Sequence, residues 1–177
     1  MTAQVSIHAN VVRTLSGSHS LDWLLGEIDQ LRRSGKRIVT TNGCFDLIHP
    51  GHVAFLNAAR ACGDVLVVLL NTDNSVRQLK GAARPIIDQE GRADVLLNLR
   101  AVDYVVLFDE QLPNDVLALI RPDIHCKASD YAASELPEAA VVEQGGGEIR
   151  ILPFIKGYST SELVEHVVAE LRGKSRD

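Results

Sequence analysis

Residues 37–52 read Arg37-Ile38-Val39-Thr40-Thr41-Asn42-Gly43-Cys44-Phe45-Asp46-Leu47-Ile48-His49-Pro50-Gly51-His52. The first six form a β-strand pattern that ends in small and polar residues. A helical pattern follows over residues 51–62, with Gly63 just past its end. A strand that turns into a helix in this way is the building unit of a parallel sheet. Gly43 lets the backbone turn and come close to a ligand. Backbone N–H groups after a strand, together with the positive end of the next helix, can cradle phosphate oxygens. His49 and His52 are three residues apart and share a face of the first helical turn. Gly51 between them leaves room for a flat base. Two imidazoles at a helix N-terminus suit a polyphosphate, whose developing charge needs donors aimed at it.

Outward from this unit, the same alternation repeats. Further strand patterns lie at residues 65–71, 103–108, 123–127 and 148–152. They are rich in Val, Ile and Leu, and several lack polar alternation, as strands buried on both faces do. Helical patterns fill the gaps at 20–33, 89–100, 113–120 and 160–172. Leu21, Leu24, Leu25, Ile28 and Leu31 give the first an apolar stripe, and Gly35 stands where a C-cap would. Pro113 suits a first helical position. This βαβα order predicts an α/β fold around a parallel sheet with right-handed crossovers. Ligands of such sheets bind beyond the C-terminal strand ends, at the switch in strand order. The expected organisation is a loose arm over residues 1–18, one domain over 19–172 and a frayed tail over 173–177.

The chain has 177 residues, of which 46% are hydrophobic and 23% charged, with a formal net charge of −5. That balance excludes disorder as the dominant state. The negative charge argues against coating nucleic acid or an acidic membrane. No apolar run approaches the roughly 20 residues of a membrane span, and the N-terminus has no apolar signal-peptide core. The three cysteines, Cys44, Cys62 and Cys126, read as free thiols. A cytoplasmic location is the expectation.

Other residues carry competing readings. Cys44, His49 and His52 could supply zinc ligands, but their spacing is not that of a finger or ribbon, and no Cys-x-x-Cys exists. One histidine could cap the helix while the other is buried in the core. Ser159 and Glu162 fit a capping box opening the last helix. Asn71-Thr72-Asp73 could contact nucleotide or cap a helix. Gly145-Gly146-Gly147 reads as a turn. His125 and Cys126 read as packing, and Asp103 and Asp109 as structural. No G-x-x-x-x-G-K-[ST] phosphate loop is present.

The stretch from Gly43 to His52 matches G-x-F-D-x-x-H-x-G-H, and here the chain resembles the cytidylyltransferase-like nucleotidyltransferases. Supporting matches are Lys80-Gly81, Arg84-Pro85, Arg92, the Lys127…Asp130-Tyr131 segment and Tyr158-Ser159-Thr160. The wording is most similar to the adenylyltransferases that make ADP-heptose from heptose 1-phosphate, in a stand-alone form without a fused sugar kinase. The resemblance implies a Rossmann-like, doubly wound α/β sheet of about five parallel strands with helices on both faces. It implies transfer of AMP from ATP to a sugar 1-phosphate, with Mg2+ on the triphosphate and no protein metal cage. It assigns His49, His52, Lys80 and Arg92 to catalysis, with the last two neutralising phosphates. Asn42, Gly43, Cys44, Phe45, Gly51, Asp130, Tyr158, Ser159 and Thr160 would bind nucleotide. Asp46 and Lys127 would bind the acceptor. The expected partners are small molecules and a second copy in a homodimer, with no nucleic acid and no membrane.

Where that family usually has Lys-Gly-Gly-Asp-Tyr, this chain has Lys127-Ala128-Ser129-Asp130-Tyr131, so the backbone there has less room. Three alternatives stay open. They are the same chemistry on glycerol 3-phosphate with CTP or on FMN with ATP, a nucleotide-binding regulator without turnover, and a zinc protein. Pyrophosphate release with a substrate panel separates the first two, and zinc content decides the third.

Overall fold

The computed structural model describes residues 11–128, 136–153 and 160–174. Its strands are β1 (Val11–Thr14), β2 (Gly17–Ser20), β3 (Ile38–Gly43), β4 (Val65–Asn71), β5 (Tyr104–Phe108), β6 (Ile124–Ala128) and β7 (Glu148–Leu152). Its helices are α1 (Leu21–Arg33), α2 (Pro50–Arg60), α3 (Asp73–Lys80), α4 (Gln89–Leu97), α5 (Asn114–Ile120), α6 (Ala139–Gln144) and α7 (Thr160–Lys174). One sheet runs β2-β1-β5-β4-β3-β6-β7. The five strands from β5 to β7 are parallel, as the alternating pattern predicts.

β4 shows why the sheet is sandwiched. All seven of its residues are buried. Val65, Val67 and Leu69 join one apolar cluster with Leu24 and Ile28 of α1 and Val116 and Leu117 of α5. Leu66, Val68 and Leu70 join another with Leu56 of α2 and Ala93 and Leu96 of α4. Helices therefore cover both faces, and a continuous apolar run is what such a strand needs. Gly63 allows the approach of the α2–β4 turn to β3, since a Cβ there would lie 2.6 Å from Val39 Cγ2.

Three expectations are corrected. From Val11 onward, the arm expected over residues 1–18 belongs to the β1–β2 hairpin, and β1 pairs antiparallel with β5 through Val12↔Val106 and Arg13↔Val105. Val12 is buried, so the hairpin is part of the core. At the other end, α7 extends to Lys174, into the expected tail. Pro113 sits at the N-cap of α5 rather than inside it. Four elements go beyond the expected set: β1 and β2 of the hairpin, α3 and α6. The motif Gly145-Gly146-Gly147 is a turn, with Gly146 at φ 87° and a Gly147 Cβ blocked by Pro122 O.

Candidate active site

β3 is central, and the chain adds β4 and β5 on one side of it and β6 and β7 on the other. The strand order reverses between β3 and β6, where sheets of this kind open a crevice. Asn42 and Gly43 end β3 there, and Lys127 and Ala128 end β6. Lys127 Nζ donates to Asn42 Oδ1 at 2.8 Å and to Glu138 Oε1 at 2.6 Å.

The turn from β3 to α2 is tight. Phe45 has φ 44°, a left-handed conformation that costs a non-glycine residue strain. Its ring packs over Gly43, where a Cβ would come within 3.0 Å of the ring edge. Two buried anchors hold this turn. Asp46 is 2% exposed, and its carboxylate accepts Arg84 Nε at 2.5 Å, Ile86 N at 2.8 Å and Ile87 N at 3.0 Å. Arg92 is 1% exposed and donates to Cys44 O at 2.6 Å, Asn71 O at 2.9 Å, Ile87 O at 3.0 Å and Asp73 Oδ1 at 2.7 Å.

Asp46 ties residues 84–87 to the turn and also borders the larger cavity described below. Arg92 is engaged by three carbonyl oxygens and Asp73. Gly91, just before Arg92, is closely packed: a Cβ there would lie 3.0 Å from Ile87 Cγ2, so that half-buried side chain would have to give by a few tenths of an ångström. Its N–H also completes the Asp88 cap of α4 at 2.8 Å.

His49 is the N-cap of α2, and its Nδ1 accepts from His52 N at 3.3 Å. Pro50 occupies the first turn, where its missing N–H costs nothing. The two imidazoles stack 3.8 Å apart at 25°, and the Phe45 ring tilts against His52 at 5.3 Å. Burial lowers the His49 pKa. Burial and then neighbouring His49 push His52 down to about 4, against a hydrogen bond with the Leu47 backbone. Both rings are therefore neutral at pH 7 in the free protein.

Two cavities meet at His52. The first holds 260 Å³ beside Asn42, Gly43, Gly51, Phe55, Lys127 and Ala128. The second holds 460 Å³ beside Asp46, Leu79, Lys80, Arg84 and Thr160. Cys44 and Phe45 border both. Lys80 ends α3 and is exposed, and no ion pair engages it among the described residues. Thr160 Oγ1 donates to Leu47 O at 3.4 Å, which joins the start of α7 to the turn. Burial raises the Cys44 thiol above its usual range despite Lys80 and Arg92 nearby, so it is protonated at pH 7. No three His, Cys, Asp or Glu side chains stand close enough to share a metal among the described residues.

The structure thus brings together Asn42, Gly43, Cys44, Phe45, Gly51, His52, Lys80, Lys127 and Thr160 around one crevice, with His49 stacked behind His52. Asp130, Tyr158 and Ser159 lie outside the described residues. Asn71-Thr72-Asp73 is structural: Thr72 caps α3, Asn71 Nδ2 donates to Ser75 Oγ, and Asp73 pairs with Arg92. Asp103 accepts from Leu66 N at 2.7 Å, and Asp109 accepts from Asn74 Nδ2 at 3.0 Å, so both are structural as read. Sequence reasoning overlooked Arg84, Phe55 and Glu138 as site residues. Arg84 carried a signal, since it stands beside Pro85 in the matched Arg-Pro pair. Phe55 and Glu138 carried none.

The cytidylyltransferase-like family profile matches residues 40–165, a span that includes every residue lining the two cavities. The chain belongs to the cytidylyltransferase-like family. It is 48% identical over 142 residues to the bifunctional protein HldE of Koribacter versatilis, covering 80% of this chain and 29% of that protein. It is 47% identical over 150 residues to the bifunctional protein HldE of Methylobacillus flagellatus, covering 85% and 31%. The chain thus spans about a third of the length of the curated relatives it matches. Among solved structures, the lipopolysaccharide core biosynthesis protein of Thermoplasma volcanium matches with a TM-score of 0.57 and 28% identity, over 71% of this chain and 100% of that one.

Proposed function

We propose that this chain transfers AMP from ATP to a sugar 1-phosphate, heptose 1-phosphate in the first instance, and releases pyrophosphate. The observation that carries the reading is the position of His52 between two cavities of different character. The smaller, walled by Phe45, Phe55 and the bare Gly51, suits a nucleoside. The larger, with Lys80 and Arg84, suits the triphosphate tail and an incoming phosphate. The α-phosphorus would then lie against His52 and the N-terminus of α2, where donors meet developing charge.

The chemistry follows from that placement. An oxygen of the sugar 1-phosphate attacks the α-phosphorus in line. The new P–O bond forms as the bond to the α,β-bridging oxygen breaks, and pyrophosphate leaves with the electron pair. The nucleophile is already an anion, so no general base is needed. Catalysis is alignment and charge stabilisation. The neutral imidazoles avoid burying charge in the free site, and a bound triphosphate would draw protons onto them. Mg2+ enters as part of the Mg·ATP substrate, with most of its ligands from phosphate and water. The exposed Leu163 and Val167 of α7, one turn apart, suit burial against a second copy. A cytoplasmic homodimer is part of the reading, and no described helix is long and apolar enough to cross a membrane.

The test is pyrophosphate release with Mg2+, with ATP and CTP each offered heptose 1-phosphate, glycerol 3-phosphate and FMN. Release confined to ATP with heptose 1-phosphate is expected. Release confined to another pair would keep the mechanism and replace the substrate.

A further inference from the structure

Glu138 stands at the N-cap of α6 but does not cap it, since its side chain bonds no N–H of that helix. The carboxylate is instead turned away from solvent, 2% exposed, and Oε1 accepts from Lys127 Nζ at 2.6 Å. Oε2 is buried with no hydrogen-bond partner among the described residues. Burial pushes the carboxyl pKa up, and the hydrogen bond and charge of Lys127 more than reverse this, so the group is ionised at pH 7. A buried ion pair with a spare oxygen stabilises a fold less well than apolar packing does. The side-chain hydrogen bond of Glu138 among the described residues goes to Lys127, so the lysine is what it acts on.

An ammonium has three N–H donors. Asn42 Oδ1 and Glu138 Oε1 take two of those of Lys127. The third has no partner among the described residues, and Lys127 borders the 260 Å³ cavity. Its charge is already compensated by the carboxylate, unlike that of Lys80. What it can offer the cavity is a directed hydrogen bond with little net charge, which fits an uncharged oxygen better than a phosphate.

We infer that Glu138 is a positioning residue: with Asn42 it fixes the Lys127 ammonium so that its third N–H serves a hydroxyl or carbonyl oxygen of the nucleotide in that cavity. The ligand half of this inference rests on the nucleotidyl-transfer reading, and the pairing half does not.

The experiment uses Glu138→Gln, Lys127→Met and the double variant. Labelling with an amine-reactive reagent, without nucleotide and with Lys80 as internal reference, reads the pairing. Lys127 should label several times faster in E138Q than in the wild type. ATP affinity and the KM for ATP read the consequence. E138Q should raise both the Kd and the KM about tenfold with kcat within about threefold, and the double variant should be no worse than K127M alone. The double variant leaves no unpaired buried charge, so it folds even if E138Q is unstable. Unchanged labelling of Lys127 in E138Q, or additive losses in the double variant, would overturn the inference. Faster labelling and weaker ATP binding without any nucleotidyl transfer would keep it and remove the reaction.

Discussion

Lys80 ends α3 in the open on the wall of the larger cavity, whereas Arg92 lies inside α4 with its guanidinium shared among three carbonyl oxygens and Asp73. Both are cations near one crevice, and sequence similarity gives both the same role. The difference lies in what each neighbour offers. A guanidinium has five donors in a planar fork, and this fold supplies acceptors in its plane from Cys44, Asn71 and Ile87. Lys80 meets no such set among the described residues, and on the proposed reading its charge serves a ligand. Charge alone therefore does not tell an open cation from one that braces a loop.

Arg92→Ala tests the bracing side and should have the largest effect. It leaves three carbonyls and Asp73 without their shared partner, and a loss of about 3–5 kcal/mol in urea unfolding is expected. Arg92→Lys should not restore it, because an ammonium cannot span the same fork. A variant within about 1 kcal/mol of wild type would break the contrast with Lys80.

His49→Ala comes next, and it acts on both sides. Turnover should fall by roughly 10²–10³-fold, as for the loss of one transition-state donor. Stability should fall by only about 1 kcal/mol, because the ring also caps α2. A large loss of stability with turnover retained would make His49 a cap and nothing more.

Lys80→Ala should leave the fold unchanged and raise the KM for nucleotide about tenfold, the effect of one charge-assisted contact. If steady-state kinetics show an unaltered KM, the open cavity does not hold the triphosphate.

The smallest effect concerns pH. Burial lowers the pKa of His125 to about 3, with Lys127 adding to the shift, and that of His52 to about 4. In the unfolded chain both return to about 6.5. The unfolded state then binds more protons between these values, so stability is complete above about pH 6.5 and falls as pH drops toward 3–4. Melting temperatures should decline over this window, and less steeply in His125→Gln. Equal slopes would show that burying His125 contributes nothing to the acid limit.

The five parallel strands were legible because β4 is apolar at every position but its last, a pattern that only a doubly covered strand sustains. The β1–β2 hairpin was not legible. Gly17-Ser18-His19-Ser20 has no apolar alternation, and its pairing is decided by the exposed edge of β5 and the burial of Val12. α3 was hidden by its polarity, since only Ser75 and Val76 are buried. At the site, Gly43 to His52 was legible because turn, glycine and imidazole requirements coincide in one short stretch. The bracing contacts of Asp46 and Arg92 were not legible, because sequence shows a charge and not the acceptors or donors that the fold sets around it. Glu138 was invisible because its partner, Lys127, is met only when the fold brings the N-cap of α6 to the end of β6.

On the proposed reading, His52 marks the point where the nucleotide's α-phosphorus is attacked. Pyrophosphate release from Mg·ATP and heptose 1-phosphate, measured for wild type and His52→Asn at matched folded concentration, tests it most directly. Acceptor-dependent release by the wild type is expected, with a rate about 10²–10³-fold lower in the variant and ATP still bound by both. Equal rates in the two proteins, or no release by a wild type that binds ATP and the acceptor, would contradict it.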